Sequence, residues 1–135
     1  PRASDQSQDH GGFCFALRPV GIAEVGRALR TMSGTRSCGI DGVPVPVLKH
    51  SWPALALPLT HVINCIFKAS SWPNEWKKAI FQPIAKTHKK ASELASYRPV
   101  SLLSAASKLA EKVLHSQLSA YVEESGLLPI EQHGF

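Results

Sequence analysis

The sequence predicts an α+β chain, a mostly helical fragment with one antiparallel β-hairpin. Three observations carry that expectation. Apolar residues recur at three- and four-residue spacing in three separate segments, as on helices with one buried face. Two short runs of strand-like composition, residues 79–85 and 97–103, flank a polar stretch, as the arms of a hairpin do. Ten prolines and nine glycines in 135 residues are more punctuation than a plain helix bundle needs.

The elements follow in order. Residues 1–18 are polar or irregular and are expected to be a disordered N-terminal segment. Ile22, Val25, Leu29 and Met32 share a helical stripe, so residues 21–32 should form the first helix, stopped by Ser33-Gly34 with the glycine in a left-handed cap. Residues 35–44 hold two glycines, an aspartate and a proline and should be a loop, with a short helical turn over 45–50. Leu55, Leu59, Val62, Ile63, Ile66 and Phe67 mark a core helix within residues 52–69. Pro53 suits its first turn, whereas Pro58 either kinks it or marks its true start. Trp72 to Lys77 is a turn carrying two tryptophans, both expected to cap the core. Pro83 makes the first strand an edge strand or a bulge. The last helix starts at Ser104 or Ser107, buries Ala110, Val113, Leu114, Leu118 and Tyr121, and stops at Gly126.

Composition excludes several classes. Cys14, Cys38 and Cys65 are an odd, widely spaced set, which argues against a secreted disulfide scaffold and for a reducing compartment. No Cys or His lies at zinc-ligand spacing from another, and the six histidines are expected to be surface or core residues. The most apolar stretch, residues 54–67, is interrupted by Pro58, Thr60, His61 and Asn64 and falls short of the ~20 residues of a membrane span. No signal peptide is visible, and no membrane partner is expected. A first residue that is not Met and an end at an aromatic after Gly134 suggest a piece of a longer product.

The formal net charge is +5, and it is unevenly placed. Between Lys77 and Lys112 stand eight Lys or Arg residues against two Glu, and beyond Lys112 only glutamates follow. The hairpin and the start of the last helix therefore carry a positive field suited to phosphates. Lys77, Lys78, Lys89 and Lys90 are its candidate nucleic-acid contacts. The alternative for these lysines is a solvated hairpin that keeps the chain soluble.

Three stretches, in this order, point further. The first is Gly39-Ile40-Asp41-Gly42-Val43-Pro44 followed by Val47-Leu48-Lys49. The second is Trp72-Pro73-Asn74-Glu75-Trp76-Lys77-Lys78-Ala79, then Pro83-Ile84-Ala85-Lys86. The third is Ser96-Tyr97-Arg98-Pro99-Val100-Ser101-Leu102-Leu103, then Ser107-Lys108-Leu109-Ala110-Glu111-Lys112, closing on Gln132-His133-Gly134-Phe135. With this order and spacing the chain resembles the reverse transcriptases of non-LTR (LINE-type) retrotransposons, over nearly all of residues 20–135. The resemblance implies that residues 19–78 are a helical N-terminal extension. Residues 79–135 would then be the polymerase fingers hairpin and its following helix, ending before the palm.

The resemblance also implies roles. Lys86 and Arg98 stand where the family's fingers contact the triphosphate of the incoming nucleotide, a reaction helped by fixed cations on the phosphate oxygens. The loop from Gly39 to Lys49 resembles the element that touches the template, with Gly39 and Gly42 allowing close backbone approach and Arg36 and Lys49 meeting phosphates. Asp41 reads as a turn former rather than a metal ligand. Ser107, Lys108 and Glu111 read as a capped helix end with an i,i+3 ion pair.

Partners implied for the full-length enzyme are an RNA template, a DNA primer, and the palm and thumb of the same polymerase. It would act in the nucleus, with Mg2+ as cofactor on palm aspartates. This chain's aspartates, Asp5, Asp9 and Asp41, all precede the hairpin, so no catalytic or metal-binding residue is expected here and the chain alone should not polymerise DNA. Two other readings are a stand-alone nucleic-acid-binding module and a helical protein-interaction fragment.

Overall fold

The computed structural model describes residues 15–87 and 94–128. The chain runs through α1 (Ile22–Thr31), α2 (Val45–His50), α3 (Trp52–Ala69), a 3-10 turn (Asn74–Lys77), β1 (Ile80–Ala85), a second 3-10 turn (Leu94–Ser96), β2 (Tyr97–Leu102) and α4 (Ala105–Glu124). It is thus the expected mostly helical α+β architecture, with one two-stranded antiparallel sheet.

The core lies where α1, α2, α3 and α4 meet. Val25 and Leu29 of α1, Val45 and Leu48 of α2, Ile63, Ile66 and Phe67 of α3, and Leu109, Ala110 and Val113 of α4 are its buried members. Each helix buries a stripe because its apolar residues repeat near the helical period. The stripes are narrower than the sequence suggests. Ile22, Val62 and Leu118 belong to the predicted faces but remain more than a third exposed. On α4 the buried line continues instead through Gln117, a polar residue. Trp72 and Trp76 pack edge to face, with centroids 6.1 Å apart, against the core.

Helix ends differ instructively from expectation. The α1 helix ends as Met32 turns extended, and Gly34 is not among the positive-φ residues. The Lys49 ammonium caps it instead, donating to Arg30 O at 3.1 Å and Met32 O at 2.7 Å. A cation on the last carbonyls does the work a left-handed glycine otherwise does. The α3 helix starts with Pro53 in its first turn and runs on through Pro58. Ser104 caps α4, its Oγ accepting from Ser107 N at 3.1 Å, and Gly126 follows the helix with φ 59°.

At the end of α3, Ser70 is left-handed, with φ 48° and ψ 34°. An L-residue with a Cβ pays about 1–2 kcal/mol there, partly offset by the looser unfolded chain of glycine. Ser70→Gly is therefore expected to stabilise the chain by about 0.5–1 kcal/mol. An upward shift of the urea midpoint at unchanged slope is the check.

The N-terminal boundary expected at residue 18 falls inside an ordered strap. Phe15 packs on Tyr121 with ring centroids 5.2 Å apart. Gln117 holds the Arg18 backbone at both its N–H and its C=O, each at 3.0 Å. Asn64 does the same for Val20, at 2.8 and 2.9 Å. Two side-chain amides thus replace the missing partner strand.

Candidate nucleic-acid interface

The hairpin stands out from the helical body, and every residue of β1 is exposed. Its register pairs Ile80 with Leu102, Pro83 with Pro99, Ile84 with Arg98 and Ala85 with Tyr97. Pro83 and Pro99 lie opposite each other, where each lacks a backbone donor, so the expected edge strand is a two-stranded ribbon with proline in both arms.

Cross-strand partners share a face and successive residues alternate, so Ile84, Arg98 and Lys86 lie on one side of the ribbon. Lys86 extends the register, its N–H donating to Ser96 O at 2.7 Å. Its ammonium donates to Ala95 O at 2.9 Å. Arg98 is exposed, and its guanidinium makes no hydrogen bond or ion pair with any described residue. An ion pair of Arg98 with Glu111 is not formed: Glu111 accepts from Ser107 Oγ at 3.1 Å. Nor does Glu111 pair with Lys108 at i,i+3; its carboxylate accepts from Ser107, and Ser104, not Ser107, caps the helix. The opposite face of the ribbon is apolar, with Phe81, Pro83, Tyr97 and Pro99 lining a shallow hollow of about 330 Å³.

The loop before α2 is anchored at the root of this hairpin. Gly39 is buried, and a Cβ built on it would overlap Ser104 N and lie 2.7 Å from Leu103 C. Its close approach is therefore to the chain's own backbone, where β2 hands over to α4. Gly42 N donates to Gly39 O at 3.1 Å and Gly42 adopts φ 67°, a turn that favours glycine. Asp41 Oδ1 accepts from Val43 N at 3.2 Å, so the aspartate shapes the turn.

The remaining candidates divide. Arg36 is exposed in the loop after α1. Lys49 Nζ donates to two carbonyls at the end of α1, Arg30 O and Met32 O, which takes up two of its three N–H groups. Lys78 is ion-paired with Glu75 at 2.7 Å, and Lys77 contacts Asn74 Oδ1 at 3.4 Å. Lys89 and Lys90 lie outside the described residues. The sequence reading missed one proximity: His61 Nε2 and Cys65 Sγ are 3.5 Å apart, one turn apart on α3. Among the described residues no three His, Cys, Asp or Glu gather as metal ligands. No helix among them is long and apolar enough to cross a membrane.

No protein-family model matches the chain. It is 34% identical over 119 residues, 88% of its length, to a protein of Drosophila melanogaster named probable RNA-directed DNA polymerase from transposon BS. Over a stretch of the same length it is 32% identical to the fly protein named probable RNA-directed DNA polymerase from transposon X-element. A third relative, the transposon TX1 uncharacterized 149 kDa protein of Xenopus laevis, is 27% identical over 106 residues. The matched stretch is 13% of the length of each fly relative and 8% of the frog one.

Proposed function

We propose that this chain, which belongs to the RNA-directed DNA polymerases of non-LTR retrotransposons, supplies the fingers of such a polymerase. In this reading the Lys86–Arg98 face of the hairpin lies against the triphosphate of the incoming nucleotide. The observation that carries it is the strand register, which sets these two cations on one face with Arg98 unengaged among the described residues. Arginine offers a planar fork to phosphate oxygens and lysine a compact charge. To bind, Lys86 exchanges the neutral Ala95 carbonyl for a charged oxygen, which is the stronger acceptor.

The RNA template then passes the loop at the hairpin root, where Arg36 and Ile40 are exposed. Lys49, whose ammonium caps α1 with two of its N–H groups, has one donor left for such a contact. The full-length enzyme would hold template and DNA primer and act in the nucleus. Magnesium belongs to its palm, and the residues described here do not fit such a site. Asp41, the one aspartate among them, gives its carboxylate to Val43 N–H. The chain's own contribution is therefore positional: it orients the triphosphate and offsets its charge.

The test is steady-state nucleotide incorporation by the full-length polymerase. Lys86→Gln and Arg98→Gln are each expected to raise the KM for the incoming nucleotide about tenfold, the loss of one charged hydrogen bond, while primer–template affinity changes little. An unchanged KM in both variants would sink the reading.

A further inference from the structure

On α3, His61 Nε2 and Cys65 Sγ lie 3.5 Å apart, and both residues are exposed. Their spacing of four, which carries no meaning in a loop, puts two side chains on one face of a helix. The separation is the one a tetrahedral metal ion imposes. Bonds of about 2.3 Å to sulfur and about 2.0–2.1 Å to nitrogen, at a tetrahedral angle, hold the two donors about 3.5–3.6 Å apart. The donor types also select the ion. Thiolate with imidazole suits zinc, whereas magnesium and calcium take oxygen ligands.

A structural zinc site has four ligands, and two stand here. Among the described residues no third His, Cys, Asp or Glu joins them. The surrounding face points to the source of the other two. Leu57, one turn before His61, is 72% exposed, and Val62 beside it is 37% exposed. Lys68 is the only Lys, Arg, Asp or Glu from Trp52 to Ala69. The pair also forms one side of an open hollow of about 460 Å³, whose other walls include Ile66, Trp72 and Pro73. An uncharged, apolar face around half a ligand set fits an occupant that is itself apolar and brings the same two donors. A second copy of this chain does both. A two-fold axis through the ion repeats the pair and covers one apolar face with the other.

We propose that His61 and Cys65 are half of a zinc site that joins two copies of this chain through one ion, with two thiolates and two imidazoles as ligands. Each Cys65 thiol gives its proton to solvent as its sulfur binds, and each neutral His61 ring offers the Nε2 lone pair.

The test is titration of the whole chain, under a phosphine reductant, with cobalt as a coloured stand-in for zinc. Absorption and sedimentation velocity are followed together. A thiolate-to-cobalt band and tetrahedral visible bands should saturate at one ion per two chains, along with a species of twice the mass. Zinc should bleach the bands and keep the dimer, and EDTA should return the monomer. Cys65→Ser and His61→Gln should each abolish bands and dimer with far-UV circular dichroism unchanged, while Cys38→Ser keeps both. Leu57→Ser retains the ligands but loses apolar cover, and should raise the cobalt concentration at half-saturation about tenfold. Saturation at one ion per chain in a monomer, bands that persist in His61→Gln, or no sulfur-to-cobalt band at all overturns the proposal. So does a dimer that forms without metal, whether held by a Cys65 disulfide or by the apolar face alone.

Discussion

Gly39→Ala is expected to destabilise the chain by about 3 kcal/mol, at the upper end of what one added methyl costs in a packed interior. The methyl group would meet backbone on the far side, Leu103 C at 2.7 Å and Ser104 Cα at 2.8 Å. Backbone cannot swing aside as the tip of a long side chain can. Ser104 is also pinned, because its Oγ caps α4 through Ser107 N and its C=O accepts from Lys108 N at 3.1 Å. Relief therefore requires the loop to lift from the hairpin root or the first turn of α4 to shift. Either movement disturbs α2, whose Val45 and Leu48 are core members. Urea unfolding of the two proteins checks this. Gly42→Ala is the control, because Gly42 has open space around it and only its φ of 67° to lose. Its expected cost is about 1 kcal/mol. Equal losses at the two positions would show that conformational freedom, not contact, sets the cost.

The two glycines illustrate how far the sequence could be read. The Gly-x-Asp-Gly spacing marks a turn, and a turn is what Gly39 O and Gly42 N close. What lies against Gly39 is 65 positions further along, and no local pattern encodes such a neighbour. The helices were legible because their stripes are local: α3 matches its expected span, and its Pro58 is accommodated inside it. The hairpin was legible from two short strands and a polar tip, whereas its register, with Ile84 opposite Arg98, is seen only in the structure. Lys49 was less transparent. A lysine after an apolar pair looks like a surface cation, and only the packing of α2 beside the end of α1 turns it into a cap.

Asn64→Ala is expected to cost about 2–3 kcal/mol, more than most substitutions at a half-buried polar residue. Asn64 supplies both a donor and an acceptor to one residue, at 2.8 Å from Val20 N and 2.9 Å to Val20 O. Val20 is 4% exposed, so water cannot readily replace the amide on either group. Truncation leaves a buried N–H and a buried C=O without partners, and each such group costs about 1–3 kcal/mol. Asn64→Asp is the sharper companion, since it keeps an acceptor for Val20 N but has no N–H for Val20 O. Gln117→Ala removes the matching pair at Arg18, two residues earlier on the same strap. The two losses should not add. Once Val20 is released, the strap frays toward Arg18, and the second clamp has less left to hold. The double variant is therefore expected to fall short of the sum by about 1 kcal/mol, the scale of coupling between residues that share a partner. Amide hydrogen exchange at residues 18 and 20 separates this from general destabilisation. In either single variant those two amides should exchange faster than the amides of α3. Uniform acceleration through α3 and α4 would instead make the clamps part of the global core rather than the fastening of a local strap.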